Sequence, residues 1–291
     1  MTIRNTALLL IIFFVLLCAT EVHAHVPLIG ADNEALQTAT QIQDPLKSWA
    51  IYGKLRDAAV VNYYRLDMEQ GQRLRLMLFT PEEDLFTPGL VIMGPNIEPQ
   101  GIVPDFVTVP QGAGALVVEG KRPDRASYEP FTPASQFELV DIDMNVMASG
   151  PYYVAVYEPS RGGRYGLALG YIEEFSLVEW IRVPIEVIRI HRWEGQSLGF
   201  ILAPLLALLA IGFTLLFWQR KRGASVPQNT FGRIGSFASF LYLGSGGIMF
   251  TQMAIALSRT TLTSAVIVTI IFALLPVIVG IIMVRVAISV R

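Results

Sequence analysis

The distribution of charge divides the chain sharply at Glu194. No acidic residue follows it, and the seven basic residues beyond it leave three uncharged stretches of 25 residues each, 195–219, 234–258 and 260–284. A helix needs about 20 apolar residues to cross the hydrocarbon core of a bilayer. The carboxyl-terminal third therefore predicts an α-helical membrane domain of three transmembrane helices, at residues 196–218, 234–258 and 260–284.

The amino terminus has the three-part pattern of a secretory signal. A short basic start precedes an apolar run over residues 7–19, and the small residue Ala24 follows Val22 and His23. This pattern predicts a signal peptide over residues 1–24 that is removed on export. Cys18 is the only cysteine, so the mature chain would have neither disulfides nor thiolate metal sites.

The basic residues predict the orientation of the membrane domain. Export of the amino-terminal region places residues 25–195 outside, so the loop 219–233 and the tail 285–291 lie in the cytoplasm. That loop is the most basic in the chain, as expected for a cytoplasmic loop. We predict a multi-pass protein of the plasma (inner) membrane with residues 25–195 on the extracytoplasmic side and the lipid bilayer as a partner.

Residues 25–172 have the periodicity of β-strands. "GQRLRLMLFT" alternates leucines with arginines, and "QFELVDIDMNV" alternates in the same way after a slip at Val140. Six further candidates, separated by Gly and Pro, are "SWAIYGKL", "VVNYYRLDM", "PGLVIMGP", "GALVVEG", "GPYYVAVYEP" and "GRYGLALGY". About eight short strands with turn signals predict a mainly β exported domain, an antiparallel β-sandwich of jelly-roll type.

Two hairpins in this region resemble a known kind of module. "NYYRLDMEQGQRLRLMLF" resembles the early hairpin of the bacterial pre-peptidase C-terminal domain, and "SGPYYVAVYEPSRGGRYGLALGY" resembles its closing hairpin. The resemblance covers roughly residues 46–171. Such modules are accessory, binding or stabilising domains, and the resemblance implies the same role here. The long loops 95–112 and 121–135 are then the expected places for an extracellular ligand.

The segment 173–195 joins the two domains. Its polar residues recur at steps of three or four and form one helical stripe in an otherwise apolar sequence. We predict an amphipathic segment on the outer membrane surface, broken or restarted at Pro184, with Trp180 and Trp193 as membrane-surface anchors at headgroup level. The alternative is a helix or strand packed on the sandwich.

The second predicted span is rich in small residues, and Gly235, Ser239 and Gly246 fall near one face of the helix. Small residues let helices approach closely in lipid. They serve either packing within the three-helix set or docking against a partner subunit. No charged residue or histidine lies within the three spans, which argues against a transporter.

Metal-binding candidates are few. Cleavage after Ala24 would make His25 the amino terminus, and His25 with His191 is a candidate copper site. This arrangement is similar to the exported subunit of copper membrane monooxygenases, although that subunit's further histidine ligands have no counterparts here. Asp141, Asp143 and Asn145 offer oxygen ligands for calcium, or form a solvated strand face.

The exported domain lacks the common catalytic motifs, including G-x-S-x-G and H-E-x-x-H. Its acidic balance argues against binding to nucleic acid. We therefore predict a non-catalytic binding module or an accessory subunit of a membrane complex, without a cofactor. The alternatives are a copper-binding surface protein that uses His25 and, second, a hydrolase based on a pair of carboxylates.

Overall fold

The computed structural model describes residues 25–30, 33–221 and 230–289, without the side chains of residues 180–181, 215–216, 219–220, 230–237 and 283–289. The predicted signal peptide, the centre of the predicted cytoplasmic loop at 222–229 and the end of the tail lie outside the described residues. The chain forms two compact units. A β unit contains His23–Ser127 and Ser135–Glu194, and a helical unit contains Tyr128–Ala134 and the chain from Gly195 onward.

Eleven strands are described. They are β1 (Val26–Ile29), β2 (Thr40–Ile42), β3 (Trp49–Leu55), β4 (Val61–Met68), β5 (Arg73–Thr80), β6 (Gly89–Gly94), β7 (Gly114–Val118), β8 (Ser127–Glu129), β9 (Ala134–Asn145), β10 (Gly150–Tyr157) and β11 (Gly163–Leu169). All eight strands predicted from the sequence are confirmed. The three additional strands, β1, β2 and β8, have only three or four residues, which is too short for an alternating pattern to be recognised.

The strands form two mixed sheets. The first has the order β1-β3-β11-β5-β9-β8, and the second has the order β2-β4-β10-β6-β7. The prediction of purely antiparallel sheets is wrong at one edge of each, because β1 pairs with β3 and β2 pairs with β4 in parallel. The chain alternates between the sheets from β1 to β4, so each parallel pair is joined by a crossover through the other sheet.

One cluster of buried side chains takes its members from both sheets. Leu74, Leu76 and Leu78 of β5 are buried there together with Tyr64 and Leu66 of β4. The alternation in the sequence of β5 therefore directs the leucines into this shared core. Burial of apolar surface between the sheets is the main stabilising contribution in the β unit.

The slip in the pattern of β9 is a β-bulge. Leu78 lies opposite Val140, whereas the next residue, Phe79, lies opposite Glu138, so Leu139 is the extra residue. Leu139 and Val140 are consecutive and both buried, which an unbroken strand with alternating faces would not allow. The bulge explains why the hydrophobic alternation changes phase at this point.

The outer face of the second sheet is covered by the loop 95–112. Val107 is buried in a cluster with Tyr63, Val91 and Met93, which project from the face of that sheet opposite the shared core. The backbone N–H of Thr108 donates a hydrogen bond of 2.8 Å to the hydroxyl of Tyr63. This loop is therefore a structural cover along much of its length.

The second long loop, 121–135, is divided between the two units. Arg122 remains with the β unit, where its guanidinium donates a 2.6 Å hydrogen bond to the carbonyl of Glu82 and lies 3.7 Å from the ring centroid of Phe137. Burial lowers the pKa of Arg122. The residues Tyr128–Ala134 belong to the helical unit. Both loops predicted to bind an extracellular ligand thus pack against the chain itself over part of their length.

Four α-helices are described: α1 (Leu177–Trp193), α2 (Leu198–Lys221), α3 (Thr230–Leu257) and α4 (Ala265–Ser289). Among the described residues, Ala238–Leu257 of α3 and Ala265–Ile282 of α4 are long and apolar enough to cross a membrane. The described apolar stretch of α2, Leu198–Thr214, is shorter. The structure therefore has two candidate spans, which coincide with the second and third predicted spans, whereas the first predicted span, 196–218, coincides with the shorter apolar stretch of α2.

A buried polar network lies inside the shared core. The hydroxyls of Tyr64 and Tyr165 are 2.7 Å apart, and the side-chain amide of Asn62 donates to the Tyr165 hydroxyl at 2.7 Å. Gly53 makes room for this arrangement, since a Cβ at that position would stand 2.3 Å from the ring of Tyr165. Burial raises the pKa of both tyrosines.

We predict that Tyr165→Phe destabilises the β unit by about 1–3 kcal/mol, because it leaves buried polar groups without their partner. Tyr153→Phe is the matched control, since Tyr153 is half-buried and its hydroxyl makes no hydrogen bond among the described residues. Thermal unfolding of the full chain in detergent, followed by the near-ultraviolet circular dichroism of the aromatic residues, measures both. Equal stability of the two variants would contradict the role of the network.

The same network predicts loss of stability at alkaline pH. A tyrosine in the unfolded chain ionises near pH 10, whereas Tyr64 and Tyr165 ionise only at higher pH in the folded protein. Their contribution is fully present below about pH 10 and is lost as the pH rises above it. Tyr165→Phe should flatten this decline in a series of unfolding measurements above pH 9. A slope identical to that of the wild type would show that Tyr165 does not contribute.

Candidate functional site

The helices of the helical unit pack through small residues. A Cβ at Gly246 of α3 would stand 2.5 Å from Cγ2 of Val277 and 2.8 Å from the carbonyl oxygen of Ala273, both on α4. On the α2 side, a Cβ at Gly244 would stand 2.3 Å from Cδ1 of Leu205. The glycines thus allow α3 to approach both neighbouring helices closely.

The contacts of α3 with α4 support the first interpretation of the second span, packing within the set of helices. Ser239 is fully buried, and its backbone is close to Gly280 of α4. A Cβ at Gly280 would stand 3.0 Å from the carbonyl oxygen of Ser239. Ser239 and Gly246 therefore pack α3 against α4, whereas docking of a partner subunit through this helix stays a prediction. Gly235 lies on α3, in the stretch whose side-chain surroundings are outside the description.

A pair of glutamines joins the ends of α2 and α3. The side-chain amide of Gln196 donates to Gln252 at 2.9 Å, and that of Gln252 donates back to Gln196 at 2.7 Å. The reciprocal bonds satisfy polar groups that would be costly to leave unpaired in an apolar environment. Because Gln196 precedes α2 and Gln252 is near the end of α3, these two helices run antiparallel.

The segment Tyr128–Ala134 is built into the same end of the helical unit. The hydroxyl of Tyr128 donates to Oγ1 of Thr269 at 2.7 Å, and Thr269 donates in turn to the carbonyl oxygen of Pro130 at 2.7 Å. The ring of Phe131 meets that of Phe272 edge to face, with 6.5 Å between centroids. The β8–β9 connection thus contributes a specific set of contacts to the helices, which sequence reasoning did not find.

Helix α1 is fastened to the first sheet at both ends. Ser176 caps its first turn by accepting a hydrogen bond from the backbone N–H of Glu179, and the carboxylate of Glu179 pairs with Lys47 at 2.7 Å. At the other end, the indole of Trp193 donates to the carbonyl of Gly53 at 2.8 Å and packs edge to face on Tyr52. Burial raises the pKa of Glu179, but the bonds from Lys47 and Ser176 outweigh it and hold the pKa below its usual range.

One prediction for this segment requires correction, and one alternative is confirmed. The helix is continuous through Pro184, so the predicted break is wrong; Pro184 is exposed, and the backbone carbonyl that it leaves unbonded can be solvated. The alternative of packing on the sheet is confirmed, because Ile190 is buried against Tyr52 and Phe79. The contacts of Trp193 are with protein, whereas the side chain of Trp180 is outside the description.

The remaining face of α1 is open. Its apolar members Leu177, Val178 and Ile185 are 82%, 56% and 58% exposed, and Arg182, Arg189 and Arg192 are exposed beside them. We call this set the outward face of α1. It combines apolar side chains and arginines on a helix whose other side packs against the first sheet. The face is our candidate functional site.

The two histidines are not brought together. Nδ1 of His25 lies 2.5 Å from Oγ of Ser48, next to Lys47 and hence near the first turn of α1. His191 is buried in the last turn, where its Nδ1 lies 2.8 Å from the carboxylate of Glu194. From Glu179 to His191 the helix rises by about 18 Å. The predicted copper pair is therefore not formed in this structure.

The acidic strand face of β9 is engaged in ion pairs. Asp143 pairs with Arg73 at 2.6 Å, and Asp141 pairs with Arg75, all on the exposed side of the β5–β9 ladder. The Arg73 guanidinium lowers the pKa of Asp143. Within the part of the chain that the structure describes, no three residues of the types His, Cys, Asp and Glu are grouped for a metal ion. The solvated-face interpretation of Asp141, Asp143 and Asn145 thus accounts for these residues.

Comparison of the chain with protein-family models finds no match, and comparison with curated proteins finds none. The chemistry of the site therefore has to be argued from its own geometry.

Gly246→Ala tests the packing role of the small residues. Its methyl group would overlap Val277 and the backbone of α4, so we expect α3 and α4 to lose about 1–3 kcal/mol of packing energy. Gly199→Ala in α2 is the matched control, because a Cβ there meets nothing within 4 Å. The midpoint of thermal aggregation in detergent distinguishes the two. A wild-type midpoint for Gly246→Ala would contradict the packing assignment.

Proposed function

We propose that this chain is a multi-pass membrane protein whose exported β-sandwich works as a non-catalytic binding module or accessory subunit of a membrane complex. In this proposal α2, α3 and α4 all cross the bilayer. The two sheets with their shared core form the sandwich. The resemblance of its hairpins to pre-peptidase C-terminal modules supports an accessory role.

The helical unit supports the topology of this proposal. Gln196 and Gln252 bring the beginning of α2 to the end of α3, so the α3–α4 connection lies on the side from which the chain enters the membrane. The segment Tyr128–Ala134, which belongs to the exported part of the sequence, packs at that same end. The basic residues from Arg220 to Arg233 then lie on the opposite, cytoplasmic side, in agreement with the distribution expected for cytoplasmic loops.

The observation that carries the proposal is the chain of hydrogen bonds from Tyr128 through Thr269 to Pro130. A single helix suffices to tether an exported domain to a membrane. Among the described residues, the chain passes from one unit to the other near Ser127, Ala134 and Glu194. The helical unit thus includes a segment of the exported sequence, which suits a subunit of a membrane complex better than a simple tether.

The polar side chains of the exported part mostly contact neighbouring residues, although Nε2 of His191 is buried without a hydrogen-bond partner among the described residues. His191 is buried against Glu194, and His25 is bonded to Ser48. The acidic turn after β5 is neutralised by ion pairs, Glu82 with Arg164 at 3.0 Å and Asp84 with Arg161 at 2.9 Å.

Thr269→Val tests the proposal, with Thr251→Val as its control. The first substitution removes both bonds of Thr269 to the segment Tyr128–Ala134, whereas Thr251 bonds only to the carbonyl of Gly247 in its own helix. Each full-length variant would be purified from its own membranes in mild detergent after chemical cross-linking. Mass spectrometry then identifies chains cross-linked to the exported domain and their stoichiometry.

We expect a partner chain in fixed stoichiometry with the wild type and with Thr251→Val. Thr269→Val should reduce its recovery several-fold while the protein stays in the membrane, because each lost hydrogen bond is worth about 1 kcal/mol. Recovery of the wild type as a lone monomer would contradict the accessory role. Equal recovery with Thr269→Val would show that the segment does not position the binding surface.

A further inference from the structure

We propose that the outward face of α1 binds anionic phospholipid headgroups of the membrane that the chain spans. The inference rests on the proposed membrane location and adds a lipid class and a named set of residues to it. It uses the face defined by Leu177, Val178, Arg182, Ile185, Arg189 and Arg192.

The geometry of the helix places these residues on one side. At 100° per residue, the six positions fall within an arc of about 140° and extend over about 22 Å of helix. Glu179 and Ile190 lie on the far side of the helix and Trp193 lies beside the edge of the face, and all three contact the β unit. The face is therefore rigidly presented, and nothing else in the described structure covers it.

The arginines of α1 lie on its outward face and the carboxylates lie elsewhere, which is the arrangement that an anionic surface favours. The carboxylates of Glu179 and Glu194 are turned away from the face and engaged with Lys47 and His191. Glu186 neutralises Arg189 at 3.0 Å, whereas Arg182 and Arg192 make no ion pair among the described residues. The face thus has two uncompensated positive charges next to three exposed apolar side chains.

This combination fits a lipid surface better than a protein one. An arginine can bury its methylene stem beside apolar neighbours while its guanidinium reaches phosphate oxygens, to which it donates paired hydrogen bonds. Leucine, valine and isoleucine side chains insert at the boundary between headgroups and acyl chains. Anionic lipid attracts each nearby basic residue by about 1 kcal/mol, which is roughly a fivefold preference for each arginine.

Chain continuity allows the face to reach the membrane surface in the proposed topology. Arg192 precedes Leu198, the first residue of α2, by six residues, so the two Cα atoms are at most about 20 Å apart. In the proposed topology α2 begins at the outer surface of the bilayer, so the Arg192 end of the face is within reach of the headgroups. A soluble partner would need no such proximity.

The test uses the full-length protein with Cys18 replaced by serine and Ile185→Cys labelled with an environment-sensitive fluorophore. The protein is reconstituted into nanodiscs of phosphatidylcholine alone or mixed with phosphatidylglycerol. Quenching by headgroup spin-labelled phosphatidylglycerol is compared with quenching by the same label on phosphatidylcholine. Ile102→Cys, which is 92% exposed on the loop after β6, is the water-exposed control, and Ile267→Cys on α4 reports on the membrane span.

We expect quenching at position 185 and none at position 102. Spin-labelled phosphatidylglycerol should quench position 185 several-fold more strongly than spin-labelled phosphatidylcholine. The double substitution Arg182→Gln and Arg192→Gln should bring this ratio close to one. Lysine at both positions should retain most of the preference, because it preserves the charge, and this rescue separates electrostatic binding from a structural effect of the substitutions.

Three outcomes would overturn the inference. Quenching at position 267 without quenching at position 185 would leave the membrane assignment standing and refute lipid binding by α1. Equal quenching by the two lipids would refute the anionic preference. Efficient disulfide formation between copies of Ile185→Cys would show that a second copy of this chain occupies the face. Absence of quenching at both 185 and 267 would instead refute the proposed membrane location itself.

Discussion

The β unit is governed by the need to keep the apolar parts of its four sheet faces from water. Two of these faces bury each other in the shared core that contains Leu76 and Leu66. The other two require covers from elsewhere in the chain, and the loop 95–112 and helix α1 supply them. The long loop and the amphipathic helix are therefore parts of the same solution to one physical problem, the burial of apolar surface.

This constraint has a functional consequence for α1. Because its inner side is committed to the sheet through Ile190 and Trp193, the helix cannot rotate to present other residues. Its arginines and exposed apolar side chains are held in one arrangement before any lipid or protein arrives. Binding to such a face does not carry the full entropic cost of ordering a free amphipathic peptide.

In the proposed membrane location the helical unit depends on a different balance, since burying apolar side chains is only weakly favourable in lipid. Dispersion contacts and hydrogen bonds stabilise the helices instead. The helices approach closely at Gly244 and Gly246, and Gln196 and Gln252 form reciprocal hydrogen bonds. The segment Tyr128–Ala134 uses the same means, a hydroxyl pair and an aromatic contact. The two units thus follow two distinct physical rules, and the boundary between them coincides with the loss of acidic residues after Glu194.

Local pattern was sufficient to predict eight of the strands, the slip in alternation at Val140 and the apolar helices, because the alternation of apolar residues and the length of uncharged stretches are visible in contiguous residues. The parallel edge pairs, the partners of Ser239 and Gly246 and the separation of His25 from His191 were decided only by the tertiary structure. Each depends on residues far apart in the chain, and no periodicity reports which of them meet. The outward face of α1 depends on both sequence pattern and tertiary structure. The sequence determined an amphipathic helix, and only packing decided which side of it stayed exposed.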